Sequence, residues 1–401
     1  MAWALKCEQK HLGPVAFFVC VMAINLIAIL AIDMYAPALS GMQQSFNVSI
    51  GFLNLTLFGF FFVQAFATFF AGPLSDCIGR KPLVIGCMGL YTLASVGCAL
   101  SPTVEWLVFC RMLQGAGLGG ISTLATALIE DAFDSTSVQT AMTFMQSLII
   151  IGPVLAPFLG SFVLMVTNWR GIFALLAVLG ALSMIPACLI TETHRGVTSG
   201  GSEFKRRVAN TLTQCKGLIR QRSFVSLALI LGMAGVPFFA FIAVVSYILL
   251  YVFQLDYIGY SVVYAIACLV DCVAPFAYLF LNKRLTNQRI LLWCFALMGV
   301  SGVLMLVVGP WSAALFLIAF LPYCLAEGMA RPLCFVVLLD QPEDRVGSAS
   351  ALANFSYVLI TALATVVATM DWPSLILSLG VITVVSTVVS AVFFLWNHLA
   401  K

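Results

Sequence analysis

Five charged residues stand inside stretches that are otherwise apolar: Asp33, Arg111, Asp271, Glu327 and Arg331. A charge in a hydrocarbon setting is costly, so each needs a partner, water or a task. Three of the five are carboxylates, and a carboxylate moved between wet and dry surroundings can gain or lose a proton near neutral pH. The three histidines, His11, His194 and His398, all fall outside the apolar runs. Proton chemistry within the runs therefore belongs to the acids, helped by Tyr or Arg. Asp33, in Ile32-Asp-Met-Tyr-Ala-Pro-Ala-Leu39, is the first candidate carrier. Arg111 opens Arg-Met-Leu-Gln-Gly-Ala-Gly-Leu-Gly-Gly120; helical spacing puts Gln114 on its face and joins Gly115 to Gly119 on a small face that another helix can approach. Glu327 and Arg331 are four apart in the favourable order, which reads as a structural ion pair, with a gating or second proton role as the alternative. Asp271 has no charged neighbour in its own run and is expected to line a cavity.

Other chemistries find little support. Cys268 and Cys272 share a helix face with Asp271 close by, but no His accompanies them, so they read as small core residues and no metal is expected. No G-x-S-x-G elbow or His-based dyad is present, which argues against an enzyme, and no cofactor is implied. The 13 Cys are scattered, mostly in apolar runs, without a disulfide framework. A net charge of +3, with no basic tail, gives no footprint for nucleic acid.

The elements that must position these residues follow from composition. Of 401 residues, 62% are hydrophobic and 9% charged, and the mean hydropathy is +1.08. A water-soluble surface needs about a quarter charged residues, so the chain is a polytopic membrane protein. Its apolar runs are continuous rather than alternating, which selects helices over a β-barrel. Twelve runs are long enough to span: 14–38, 49–73, 82–101, 105–128, 138–166, 170–190, 223–251, 257–281, 288–308, 312–338, 346–369 and 374–396. The first is longer than a signal-peptide core and carries Asp33, so it reads as a span. The stretch 191–222 separates six spans (1–190) from six (223–401). It holds Arg195, Lys205, Arg206, Arg207, Lys216, Arg220, Arg222 and a Gly-rich tract, and reads as a basic amphipathic linker on the inner leaflet. Placing 16 of the 19 Lys/Arg inside, all but Arg111, Arg170 and Arg331, makes both termini cytoplasmic.

Between the second and third runs lies Gly72-Pro-Leu-Ser-Asp-Cys-Ile-Gly-Arg-Lys-Pro82. Gly72 and Gly79 permit close approach or positive φ. Asp76 can cap backbone N–H groups or pair with Arg80. Arg80 and Lys81 mark the cytoplasmic side, and Pro82 suits a first helical turn. The fifth run contains Gly152-Pro153-Val-Leu-Ala-Pro157-Phe-Leu-Gly160, a pattern for kinks and tight contact.

These motifs resemble those of the major facilitator superfamily. Gly72, Asp76, Gly79, Arg80 and Lys81 match its G-x-x-x-D-R-x-G-R-R/K loop, with Cys77 in place of Arg. Arg111 and Gln114 match its fourth-helix R-x-x-Q-G signature. Gly152, Pro153, Pro157 and Gly160 match the fifth-helix signature of its antiporters, and Trp169, Arg170 and Phe173 match the W-R-x-x-F turn. Asp344-Arg-Val-Gly-Ser-Ala-Ser-Ala351 resembles the entry to the eleventh helix. Taken together the chain resembles the bicyclomycin/chloramphenicol resistance (Bcr/CflA) family of bacterial inner-membrane drug:H+ antiporters. One distant relative in the superfamily carries two first-helix acids eight positions apart; here Asn25 stands where the partner of Asp33 would be. Glu130-Asp131 also stands where a basic residue is expected.

The resemblance implies an all-α fold of two pseudo-symmetric six-helix bundles, with a cavity between them near the midplane. It implies a monomer that exchanges protons for small amphiphilic drugs or metabolites. Asp33 would carry the proton and Arg111 would stabilise its carboxylate, directly or through water. The loop residues Gly72, Asp76, Gly79, Arg80 and Lys81, with Gln114, the fifth-helix motif, Glu327 and Arg331, would serve gating. Candidate cargo contacts are Asn25, Tyr35, Gln64, Met145, Phe238, Phe241 and Tyr247, since Met and aromatic side chains suit varied amphiphiles. The alternatives are an H+ symporter, or an exporter of one endogenous metabolite such as a siderophore or amino acid; a non-transporting scaffold fits least.

Overall fold

A computed structural model describes residues 5–7, 9, 10, 12–193 and 201–398. His11, His194, Arg195 and the start of the Gly-rich tract lie outside them, as do the side chains of Asp344 and His398. Among the described residues the chain is helical throughout, apart from one isolated β-bridge between Leu5 and Phe133.

In chain order the helices are α1 (Pro14–Asp33), α2 (Ala38–Phe46), α3 (Ile50–Ile78), α4 (Arg80–Ala99), α5 (Val104–Ala132), α6 (Ser135–Val166) and α7 (Trp169–Leu189). Then follow α8 (Gly201–Ile219), α9 (Arg222–Tyr247), a π turn (Ile248–Val252), α10 (Tyr257–Leu281), α11 (Asn287–Val307), a 3₁₀ turn (Gly309–Trp311), α12 (Ala313–Leu338), α13 (Glu343–Val367) and α14 (Leu375–His398). Among the described residues 11 segments are long and apolar enough to cross a membrane. The expected run at 138–166 lies in the 32-residue α6, whose apolar stretch Ile151–Val166 is shorter. Pro73, Pro153, Pro157, Pro186, Pro237, Pro275, Pro322 and Pro332 all sit inside helices. Neighbouring membrane helices can satisfy the carbonyls that such prolines leave unbonded.

Short polar side chains start several helices. Thr103, Asp134, Asn168, Asp256 and Ser312 each accept a hydrogen bond from a backbone N–H of the first turn. Two boundaries differ from the sequence expectation. The run read as 14–38 ends as a regular helix at Asp33, and a turn separates α1 from α2. Pro37 lacks an N–H and disfavours helical geometry at the residue before it. The run read as 49–73 continues to Ile78, which shrinks the expected polar loop to Gly79 alone.

The helices form two compact units, Met1–Tyr35 with Gly59–Thr211, and Ala36–Phe58 with Leu212–Lys401. In the first, α4 packs on α5 and α7, and α1 on α5, α6 and α7. In the second, α9 packs on α13 and α14, α10 on α12, and α11 on α12 and α14. Segment 36–58 belongs with the second unit because its backbone is held there: Tyr247 and Tyr251 donate to the Leu39 and Ser40 carbonyls at 3.4 and 2.9 Å. Exposed positions on the helices carry large apolar side chains such as Leu93, Phe162 and Val166, as suits a surface set in lipid.

Candidate functional site

The first unit is organised around α5. Two of its glycines face α3: a Cβ at Gly115 would run into the Phe60 carbonyl, and one at Gly119 would lie 2.6 Å from the Gln64 carbonyl. On the other side, a Cβ at Gly117 would lie 2.7 Å from the Cys87 carbonyl of α4. Small residues thus clasp α5 between two backbones, and Arg111 is carried into the interior with no exposed surface.

Its guanidinium lies between two rings, 4.3 Å from the centroid of Tyr35 and 4.2 Å from that of Phe60, with Phe173 at 6.0 Å. It donates to Gln114 Oε1 at 2.9 Å and to the Ala31 carbonyl at 3.4 Å, while its Nε and second terminal nitrogen make no hydrogen bond. Gln114 in turn donates to Ser95 at 2.7 Å and accepts from the Cys98 thiol at 3.7 Å. The buried cation is held by π faces and amide oxygens. Arg111 is expected to act on Asp33 directly or through water; among the described residues it is in no ion pair, and Tyr35 and Phe60 occupy its two faces. It touches α1 before Asp33, at the Ala31 carbonyl, and the Tyr35 ring beyond it.

Asp33 is buried, at 7% exposure, on the last residue of α1. The α6 motif presses on α1 on both sides of it. A Cβ at Gly152 would meet the Ile29 side chain, and one at Gly160 would meet the Met34 carbonyl. Pro157 is buried between them on the same helix, and Pro153 is half-buried.

At one end of this unit the loop motif forms a charge network. Arg80 pairs with Asp76 at 2.8 Å and with Asp131 at 3.0 Å, and it also donates to Ser75. Asp131, where a basic residue is expected, thus supplies a second anion to Arg80. Arg207 of α8 reaches Asp76 at 3.4 Å. Gly79 has φ +105°, a conformation that favours glycine. The carboxylate of Glu192 receives the backbone N–H groups of Arg80 (2.9 Å) and Lys81 (3.1 Å), anchoring the start of α4, and Lys81 Nζ donates to the Cys188 carbonyl at 2.7 Å. Gly72 lies inside α3 with open space where a Cβ would be. No short motif points to Glu192, which is 112 residues from the helix it caps.

In the second unit Asp271 is not isolated. Arg331 donates to Asp271 Oδ2 at 3.1 Å and to both oxygens of Glu327 at 2.9 and 2.5 Å. The Tyr357 hydroxyl lies 3.3 Å from Glu327 Oε1.

The expected cargo residues are scattered among these features. Asn25 and Met145 are buried, and Gln64 and Phe238 are half-buried. Tyr35 is the platform under Arg111. Phe241 is fully buried, stacked on Phe320 at 4.5 Å and close to Tyr264 and Phe316, so it packs the second unit. Tyr247 is buried and holds α2. Sequence reasoning did not single out an open recess of about 330 Å³ along α6, lined by Gln139, Thr140, Thr143, Phe144 and Ser147. Its signal was the polar spacing of Gln139, Thr143 and Ser147 on one helix face.

Comparison with known proteins fits this architecture. A family model described as the Major Facilitator Superfamily matches residues 21–365. The multidrug transporter MdfA of Yersinia pestis bv. Antiqua (strain Angola) is 28% identical over 246 residues, which are 61% of this chain and 59% of that protein. The chain therefore matches less than two thirds of that relative's length. An uncharacterized MFS-type transporter, YdgK of Bacillus subtilis (strain 168), is 24% identical over 348 residues, 84% of this chain and 85% of the relative. Among solved structures, the peptide transporter POT in complex with sulfate superposes with a TM-score of 0.78 at 16% identity, over 96% of this chain and 95% of that one, a likeness of fold.

Proposed function

The chain belongs to the Major Facilitator Superfamily, and from that premise we propose that it is a proton-coupled exporter of small amphiphilic drugs or metabolites. In this reading it is an antiporter of the bicyclomycin/chloramphenicol resistance type, acting as a monomer by alternating access in a bacterial cytoplasmic membrane. The observation that carries the reading is Asp33: a buried acid at the end of α1, with the Gly152–Gly160 motif of α6 packed against α1 on either side of it. A shift of α6 along that contact would change the surroundings of the acid directly. Asp33 takes a proton from the outer side when hydrated, and is neutral when enclosed. It releases the proton on the inner side as cargo loads, so proton and cargo favour different states. Arg111, fixed by Tyr35, Phe60 and Gln114, holds a positive potential beside the end of α1 and favours the release. Asn25 in place of a second acid favours neutral or zwitterionic cargo over lipophilic cations.

The test is transport by the full chain in proteoliposomes with an imposed pH gradient and a panel of amphiphilic antibiotics and dyes. Antiport predicts proton movement opposite to cargo, and Asp33→Asn removes the gradient-driven part by at least tenfold. Movement of both in the same direction assigns symport instead. Gradient-driven transport that persists in Asp33→Asn overturns the proton role.

A further inference from the structure

We propose that Asp271, Glu327 and Arg331 form a second proton-binding site in the last six membrane helices, with Asp271 as the group that takes and gives the proton. The transport reading bears only on what that proton drives.

The first argument is charge counting. Two carboxylates share one guanidinium, so the fully ionised cluster carries one uncompensated negative charge. An unpaired charge among apolar helices is expensive, and one proton removes it. The second argument is the unequal investment of the two acids. Glu327 is 1% exposed, receives Arg331 through both oxygens, and has the Tyr357 hydroxyl within reach of Oε1. Among the described residues Asp271 accepts one bond from Arg331, on Oδ2, and its buried Oδ1 meets no donor, while the Asp271 and Glu327 carboxyls lie within hydrogen-bonding reach of each other. The charge is therefore better held on Glu327 and the proton on Asp271.

The third argument is position. Gly328 of α12 faces Asp271: a Cβ there would run into the Asp271 carbonyl and lie 2.9 Å from Oδ1. The absent side chain lets α10 and α12 close on each other at the acid. Access differs as well, since the Asp271 side chain is 13% exposed and that of Arg331 36%. Glu327 is the most enclosed of the three, at 1%.

No neighbour is a better base. From α12, Tyr323, Cys324, Glu327 and Arg331 lie within electrostatic reach of Asp271, as does Tyr357 from α13. The Tyr323 hydroxyl is committed, donating to the Ala234 carbonyl at 2.7 Å and accepting from the Phe238 N–H at 3.0 Å. On α10 itself, Cys268 and Cys272 are buried thiols. In the π turn, also packed on α10, Tyr251 donates to Ser40.

Infrared difference spectroscopy of the full-length protein in lipid, cycled between acid and alkaline buffer, tests the proposal without cargo or gradient. Wild type and Asp33→Asn are expected to share a pH-dependent protonated-carboxyl band that is lost in Asp271→Asn. Glu327→Gln leaves a neutral Asp271–Arg331 pair, so there the band appears only in more acidic buffer. A band unchanged in Asp271→Asn, or unmoved in Glu327→Gln, overturns the site. An elution profile on size exclusion matching wild type confirms that each variant is folded. A chain that exports nothing could still show this band, and an exporter coupled through Asp33 alone would lack it, so the two readings fail separately.

Discussion

At the scale of single residues, Arg111 shows why type matters more than charge. Its plane is stacked between Tyr35 and Phe60 while one edge serves Gln114. Lysine would keep the charge but lose the plane, the fork and most of the stacking. Each desolvated cation–π contact is worth about 0.5–2 kcal/mol. Arg111→Lys is therefore expected to lower stability by about 2 kcal/mol, read as a lower apparent unfolding midpoint in detergent, and to reduce transport. Phe60→Leu removes one of the two faces and is expected to cost about half as much. Equal stability of Arg111→Lys and wild type would show that the stack contributes nothing. The motif spacing placed Arg111 and Gln114 on one face from sequence. The aromatic faces were not legible, because Tyr35 comes from the turn after α1 and Phe60 from α3, which reaches the guanidinium only where Gly115 lets α3 approach α5.

At the scale of elements, the turn between α3 and α4 contains a local rule and a distant partner. The i,i+4 spacing of Asp76 and Arg80 made their pairing legible, and Gly79 in positive φ follows from the same stretch. Glu192 was not legible, since only the return of the chain after α7 brings it to the start of α4. Asp271 was read as alone for the same reason: its partner Arg331 lies 60 residues later, on α12. The break after Asp33 was written in Pro37, but hydropathy alone carried the expected run through it. Gly79→Ala forces a glycine-only conformation, at about 1–3 kcal/mol, and puts a methyl 2.5 Å from Glu192 Oε2. Glu192→Ala removes the acceptor for two N–H groups, at about 1 kcal/mol. Because both act on one contact, the double variant should lose less stability than the two single losses combined. A double-mutant cycle of apparent melting midpoints checks this, and strict additivity would mean that Glu192 does not support the turn.

At the scale of the whole molecule, orientation in the membrane follows from where the cations end up. Two of the three placed away from the cytoplasmic side, Arg111 and Arg331, are held within helix bundles by partners of their own. The third, Arg170, lies 4.1 Å over the Trp169 ring and donates to the Ser101 carbonyl at 3.0 Å, an aromatic anchor suited to an interface. The network at the other end gathers Asp76, Arg80, Asp131, Glu192 and Arg207, together with the N-terminal segment, where the Lys6 N–H donates to the Ala132 carbonyl at 2.7 Å. On α8, Lys205, Arg206 and Lys216 are exposed, and Arg220 is exposed in the turn between α8 and α9. Arg222, the first residue of α9, is exposed as well; its guanidinium lies 4.4 Å over the Trp396 ring and donates to the Trp396 carbonyl. Positive charge favours the cytoplasmic face, so Arg220 should be open to trypsin from that side. Trypsin added to inside-out membrane vesicles is expected to split the chain near Arg220 into two fragments of similar size, and to leave it intact in right-side-out vesicles. Neutralising the site with Arg220→Gln should slow the cut without altering which face permits it. Cleavage at this turn from the outer face would invert the topology, and with it the direction of proton flow through Asp33.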